Sequence, residues 1–169
     1  MSMVFRFRAL SDENDNFVRD WELAYNSSLL DFHNHICTDL EYDPCTMASF
    51  HLSDSFWEKC REFTLLDMGM AGEDEVIAME NVRLDAVIED NGDRLIYTFD
   101  VFGDRSLFIE MMGAYKAEEG ASYPRTVLAE GAVPPQFDAA KLDADNSIFD
   151  EAMGEFSGFD GDEMMGDDF

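Results

Sequence analysis

Positive charge is what this chain has least of. Eleven Lys and Arg stand against 38 Asp and Glu in 169 residues, a formal net charge of -27. A field of that sign repels phosphate backbones and anionic lipid surfaces, which argues against direct nucleic-acid binding and against a membrane partner. Cysteine is scarce as well. Cys37, Cys45 and Cys60 are odd in number and show no paired spacing, so no disulfide framework is expected and a reducing compartment is. No apolar run approaches the roughly 18 residues of a membrane span, and "MSMVFRFRAL" is too short and too polar for a secretory signal. A soluble, cytoplasmic protein is the expectation.

Catalytic signatures are missing too. There is no Gly-x-Ser-x-Gly elbow, no cysteine-protease signature and no Gly-rich phosphate loop. "DADNSIFDEAMGE" begins like a calcium loop at Asp143, Asp145 and Ser147, but Ile148 and Gly154 stand where Gly and Glu are required. His33 and Cys37, four residues apart, would share a helix face as two ligands could. No second ligand pair accompanies them, so the expectation is a packed, hydrogen-bonded histidine, with no metal and no cofactor. Asp100 and Asp104 flank an aromatic turn and read as turn residues whose carboxylates bond nearby backbone N–H groups. No catalytic residue is assigned.

What the chain does contain is apolar and aromatic material for a core: 46% apolar, 13% aromatic, 15 Phe. "VFRFRA" alternates, with Phe5, Phe7 and Ala9 on one face, and "FVRDWELAY" groups Phe17, Trp21, Leu23 and Tyr25. The two predict an opening hairpin about the polar turn "SDENDN". "NSSLLDFHNHICTDLEYDP" predicts a helix, with Ser28 and Asp31 as a capping box and Leu29, Phe32, Ile36 and Leu40 as its apolar stripe. Pro44 is the expected stop. "TMASFHLS" predicts a strand, and "DSFWEKCREFTLLDMG" fits either a short helix or a turn followed by a strand. "MAGEDEVIAMEN" predicts a surface loop, and "VRLDAVI" one helical turn burying Leu84, Val87 and Ile88. The strongest strand signal is "DRLIYTFDVFGDRSLFIEMM", a central hairpin with Leu95, Tyr97, Phe99 and Val101 on one side. "YPRTVLAEGAVPP" predicts a last extended segment ended by Pro134 and Pro135.

From Gln136 onward the composition changes. Eleven acids face the single base Lys141, with Phe137, Phe149, Phe156, Phe159 and Phe169 scattered among them. Such a stretch lacks the periodicity to bury its apolar residues and does not repay its own ordering entropy. Two parts are therefore expected: a domain over residues 1–135, and an acidic, Phe-containing, disordered tail over 136–169.

The motifs "LLDFHNHI", "YDP" and "YTFDVFGD" together resemble the plasmid pRiA4b ORF-3-like family, also described as insertion-element passengers. Leu29, Phe32, His33 and Ile36 match its helix, and Tyr42 and Asp43 its turn. Tyr97, Phe99, Asp100, Phe102, Gly103 and Asp104 match its hairpin, with Val101 as an extra residue. "GAVPPQ" is similar to the segment that closes the family domain, and the likeness spans about residues 3–136. The Trp and His that usually follow the family's Gly-Asp are replaced by "RSLFIE". The resemblance implies an α+β fold and no settled activity. That fold is a mixed or antiparallel β-sheet packed by one main helix and short helical turns, followed by the acidic tail. Separately, "GDEMMGDDF" is similar to the acidic, Phe-ending tip of bacterial single-stranded-DNA-binding proteins, without the Ile-Pro that precedes their last residue.

These readings converge on a non-catalytic interaction or adaptor module. Phe156, Phe159, Asp167, Asp168 and Phe169 would be gripped by a protein partner with a basic surface. Two alternatives stand beside it. One is an enzyme or metal-dependent protein with a pocket near His33, Asp100 and Asp104. The other is a DNA mimic using the acidic surface.

Overall fold

The computed structural model of the chain describes residues 3–65 and 77–137. Residues Met1–Gln136 form one compact unit. The unit is built from β1 (Met3–Ser11), β2 (Val18–Ala24), α1 (Leu29–Leu40), β3 (Ser49–Ser53), β4 (Lys59–Thr64), β5 (Ile77–Ala78) and a 3-10 turn (Met79–Asn81). It continues through α2 (Leu84–Val87), β6 (Arg94–Asp100), β7 (Arg105–Lys116) and β8 (Arg125–Glu130). The strands make a single sheet in the order β5-β4-β3-β6-β7-β1-β2-β8. All pairs are antiparallel except β4 with β5, which run parallel. The sheet is mixed and the fold is α+β. The β6–β7 hairpin lies at its centre, as its hydrophobic pattern predicts.

Helix α1 starts where the capping box places it. Ser28 Oγ accepts from Asp31 N at 3.0 Å, and Asp31 Oδ2 accepts from Ser28 N at 3.0 Å, pairing two backbone donors that a helix start leaves open. Its stripe of Leu29, Phe32, Ile36 and Leu40 is buried against the sheet. The helix ends at Leu40, before Pro44. Glu41 takes a left-handed conformation (φ 60°), and the Tyr42 N–H folds back onto the Cys37 carbonyl at 2.9 Å. A left-handed cap at a non-Gly residue carries no sequence signature, which is why proline marked the wrong stop.

Phe32 is the centre of the core. Its ring lies 4.9 Å from Phe7, 5.9 Å from Trp21 and 5.3 Å from Phe50, and Phe50 carries the stack on to Tyr97 at 4.9 Å. Within the region expected to be a surface loop, residues 77–81 instead supply β5 and the 3-10 turn, and Met79 is fully buried. Residues 70–76 lie outside the described residues. The ambiguous stretch after Ser53 is, over residues 54–65, a turn followed by β4, and residues 66–69 lie outside the described residues. The "VRLDAVI" segment does form one helical turn that buries Leu84 and Ile88, while Val87 is half-buried. Val101 belongs to the exposed turn and lies beyond the end of β6.

The opposite face of the sheet mixes apolar side chains such as Ile96 and Phe108 with a charged cluster, and one acid organises that cluster. Asp20 is fully buried and receives hydrogen bonds from Arg6 (3.1 and 2.6 Å) and Arg8 (2.8 and 2.9 Å). Burial by itself pushes the Asp20 carboxyl up, but the hydrogen bonds and charges of Arg8 and Arg6 outweigh it and hold it below its ordinary range. The stabilisation is therefore present at neutral pH and lost in acid, as pH falls below about 4 and through the lowered folded value. Asp20→Asn is expected to cost about 2 kcal/mol at neutral pH and much less in acid. Urea unfolding of both proteins at the two pH values checks this.

Candidate functional site

Helix α1 carries His33 and Cys37 on one face and aims them at Tyr97 in the middle of β6. His33 is 1% exposed. One ring nitrogen, Nε2, lies 2.9 Å from the Pro44 carbonyl, and the other, Nδ1, lies 2.8 Å from the Tyr97 hydroxyl. A carbonyl only accepts, so Nε2 carries the hydrogen and Nδ1 accepts from Tyr97. Cys37 Sγ sits 3.6 Å from the Tyr97 oxygen and 3.8 Å from each ring nitrogen. Burial drives the His33 pKa down, with the Pro44 carbonyl opposing, and it drives the Cys37 thiol and the Tyr97 hydroxyl up. All three groups are held neutral. Both imidazole nitrogens are already taken by partners inside the fold.

The second set of motif residues lies at the turn between β6 and β7. Asp100 Oδ1 accepts from Gly103 N at 3.0 Å, the turn geometry expected of an Asp there. A Cβ at Gly103 would stand 2.6 Å from Asp100 Oδ2, so a larger residue there displaces the Asp100 carboxylate. Asp104 takes a left-handed conformation (φ 52°) and pairs with Lys59 Nζ at 2.9 Å. Asp100 and Asp104 thus hold separate partners.

Arg105 follows directly and joins the motifs together. Its guanidinium forks onto Glu13 at 2.9 and 2.8 Å and reaches Asp100 at 3.4 Å. It also donates to the carbonyls of Pro135 (2.7 Å) and Gln136 (3.2 Å) and lies 5.0 Å over the Phe99 ring. The Gln136 amide exchanges hydrogen bonds with the Asp43 backbone at 2.7 and 3.1 Å. The Tyr42 hydroxyl donates to the Pro134 carbonyl at 2.5 Å, and its ring stacks 5.2 Å from Phe99. The Tyr-Asp turn, the Asp-Gly hairpin and the Pro-Pro-Gln segment therefore meet in one clasp. Arg105 was not singled out from the sequence. Its signal was an Arg directly after an acidic turn in a chain with few bases.

A polar group on the other face also escaped sequence reading. His51 Nε2 lies 3.7 Å from Glu62 Oε2, and Ser49 Oγ donates to the same oxygen at 3.1 Å. His51 Nδ1 is buried without a partner among the described residues, and burial lowers the His51 pKa. Because the Ser49 hydrogen is directed at Glu62, no serine–histidine nucleophile pair forms. These groups come from β3 and β4, which only strand pairing brings together. Phe56, in the β3–β4 loop, is 82% exposed, and Phe102, in the β6–β7 turn, is 87% exposed. Phe156, Phe159, Asp167, Asp168 and Phe169 lie outside the described residues.

His33, His35 and His51 all have lowered pKa values, with burial as the leading cause of each. Below about pH 6.5 the unfolded chain takes up protons that the folded chain refuses, so stability falls as pH drops through that range. His33→Gln is expected to flatten the slope, read as the urea midpoint between pH 5 and 8. Gly103→Ala is expected to cost about 1–2 kcal/mol through the clash with Asp100, read by thermal unfolding at neutral pH.

Among the described residues no helix is long and apolar enough to cross a membrane, and no group of three or more His, Cys, Asp or Glu is arranged to hold a metal. No curated protein matches the chain. A solved structure of a protein of unknown function from Methanosarcina mazei Go1 superposes with a TM-score of 0.61 at 16% identity, covering 80% of this chain and 73% of that one. At this identity the likeness is one of fold. The model of the plasmid pRiA4b ORF-3-like proteins matches residues 4–139, the stretch that carries the histidine helix, the Asp-Gly hairpin and the clasp. The chain belongs to the plasmid pRiA4b ORF-3-like protein family.

Proposed function

We propose that this protein is a cytoplasmic, non-catalytic interaction or adaptor module whose acidic, Phe-bearing C-terminal segment is the ligand for a basic protein partner. The observation that carries this reading is where the motif residues direct their polar groups. His33, Asp100, Asp104 and Arg105 are all bonded to other parts of the chain. A general base or nucleophile needs a free lone pair facing substrate space, and these groups do not present one. Their work is to hold the unit together.

Charge supports the same conclusion. The net charge of -27 speeds encounter with a basic surface and discourages anionic partners. Aromatic side chains set among acids supply the apolar anchors that long-range attraction alone lacks. Asp167, Asp168 and Phe169 are consecutive in sequence, so two carboxylates and a ring fall within three residues, a combination that a cationic pocket with an apolar floor recognises.

The test is affinity capture with the full chain and with a variant carrying Phe156→Ser, Phe159→Ser and Phe169→Ser. The full chain should retain a basic protein that is released by raised salt, and the variant should lose it while keeping the same thermal midpoint. Retention of the same protein by both chains would refute the reading. Release of the captured protein by duplex DNA would favour the mimic instead.

A further inference from the structure

Beside the β3–β4–β5 edge of the sheet, beneath the segment that carries α2, lies a cavity of about 320 Å³. Leu52, Phe63, Val82 and Val87 supply its apolar walls, and Arg61 and Glu89 are its charged members. Its size sits at the lower end of small-molecule sites, and its lining combines apolar side chains with the polar Arg61, Asn81 and Glu89. None of the motif residues belongs to it.

Arg61 is the feature that gives the cavity a chemistry. Six arginines of the described residues, Arg6, Arg8, Arg19, Arg83, Arg105 and Arg125, are each ion-paired to a carboxylate. Arg94 is committed to the Ser55 carbonyl and the Trp57 ring. Arg61, exposed on β4, has no carboxylate partner among the described residues. Its guanidinium stands 5.8 Å from the Phe63 ring, against one wall of the cavity. Glu89 shares the cavity, yet no ion pair joins it to Arg61.

We propose that this cavity binds a small apolar monocarboxylate, an aryl- or alkyl-carboxylic acid, with its body against Leu52, Phe63, Val82 and Val87 and its carboxylate on Arg61. The planar guanidinium fork matches a carboxylate bidentately. A single charge is selected because Glu89 and the negative field of the whole chain oppose a second one. An uncharged analogue of the same shape keeps the apolar contacts and leaves the guanidinium unanswered.

The experiment is an amide-resolved NMR titration of the full chain with 4-phenylbutyrate, repeated with 4-phenylbutyramide. It is then run on Arg61→Gln and on Ala86→Trp, whose indole would fill the cavity from an exposed position. Saturable shifts are expected at Leu52, Val82 and Val87. The affinity should weaken about tenfold or more for the amide and for Arg61→Gln, and binding should be lost in Ala86→Trp. Absence of saturable shifts at those residues up to about 10 mM ligand would overturn the proposal. Equal binding of acid and amide, or undiminished binding to Arg61→Gln, would also overturn it. The readout is independent of any protein partner, so its outcome does not bear on the adaptor reading.

Discussion

One helix has to cover one face of an eight-stranded sheet, and the rest of the unit follows from that shortage. Twelve residues make a helix about 18 Å long, whereas eight strands span roughly 34 Å in the hydrogen-bonding direction. Phe32 uses the available length well, reaching β1, β2 and β3 at once through Phe7, Trp21 and Phe50. Beyond its reach the sheet needs other cover. On the β3–β5 side the segment from Met79 to Ile88 buries Met79, Val82, Leu84 and Ile88. Near the turn end of β6, Tyr42 and the buried Pro134 close over Phe99.

A second shortage, of positive charge, explains how the few bases are used. Burying a carboxylate without a partner is costly, and this chain has many carboxylates and little cation to offer them. Some of its described arginines therefore serve several acceptors at once, and elsewhere two arginines converge on one buried acid. Arg105 binds Glu13, Asp100 and two backbone carbonyls. Arg125 links Glu22 to Glu118. Arg6 and Arg8 share Asp20. Several of the other described acids, such as Asp12, Glu41 and Glu119, are exposed to solvent, where a charge requires no internal partner.

His33 shows what the family motif achieves physically. Its ring connects the loop after α1, through the Pro44 carbonyl, to the central strand β6, through Tyr97. Arg105 does the corresponding work at the turn end of the same strand. Helix, turn, hairpin and closing segment are fastened together by these two side chains. The motif residues thus fasten the fold that the family model matches.

Much of this architecture was legible in the chain. The alternation of Phe5, Phe7 and Ala9, the stripe of Leu29, Phe32, Ile36 and Leu40, and the Ser28–Asp31 box are local signals. They need only the periods of a strand and a helix and one cap. The central hairpin followed from apolar residues on both faces of "SLFIEMM". The helix stop at Glu41 and the burial of Met79 were not legible, because each depends on what lies above the backbone at that point. Arg105, the Ser49–His51–Glu62 group and the Arg61 cavity were hidden for a further reason. Their members are distant in sequence, and only strand order and register set them side by side. Sequence by itself determined the periods, the charge and the family motif. Tertiary structure decided which polar groups are answered within the fold and which, like Arg61 among the described residues, have no carboxylate partner, because satisfaction of a charge is a property of neighbours brought together in space.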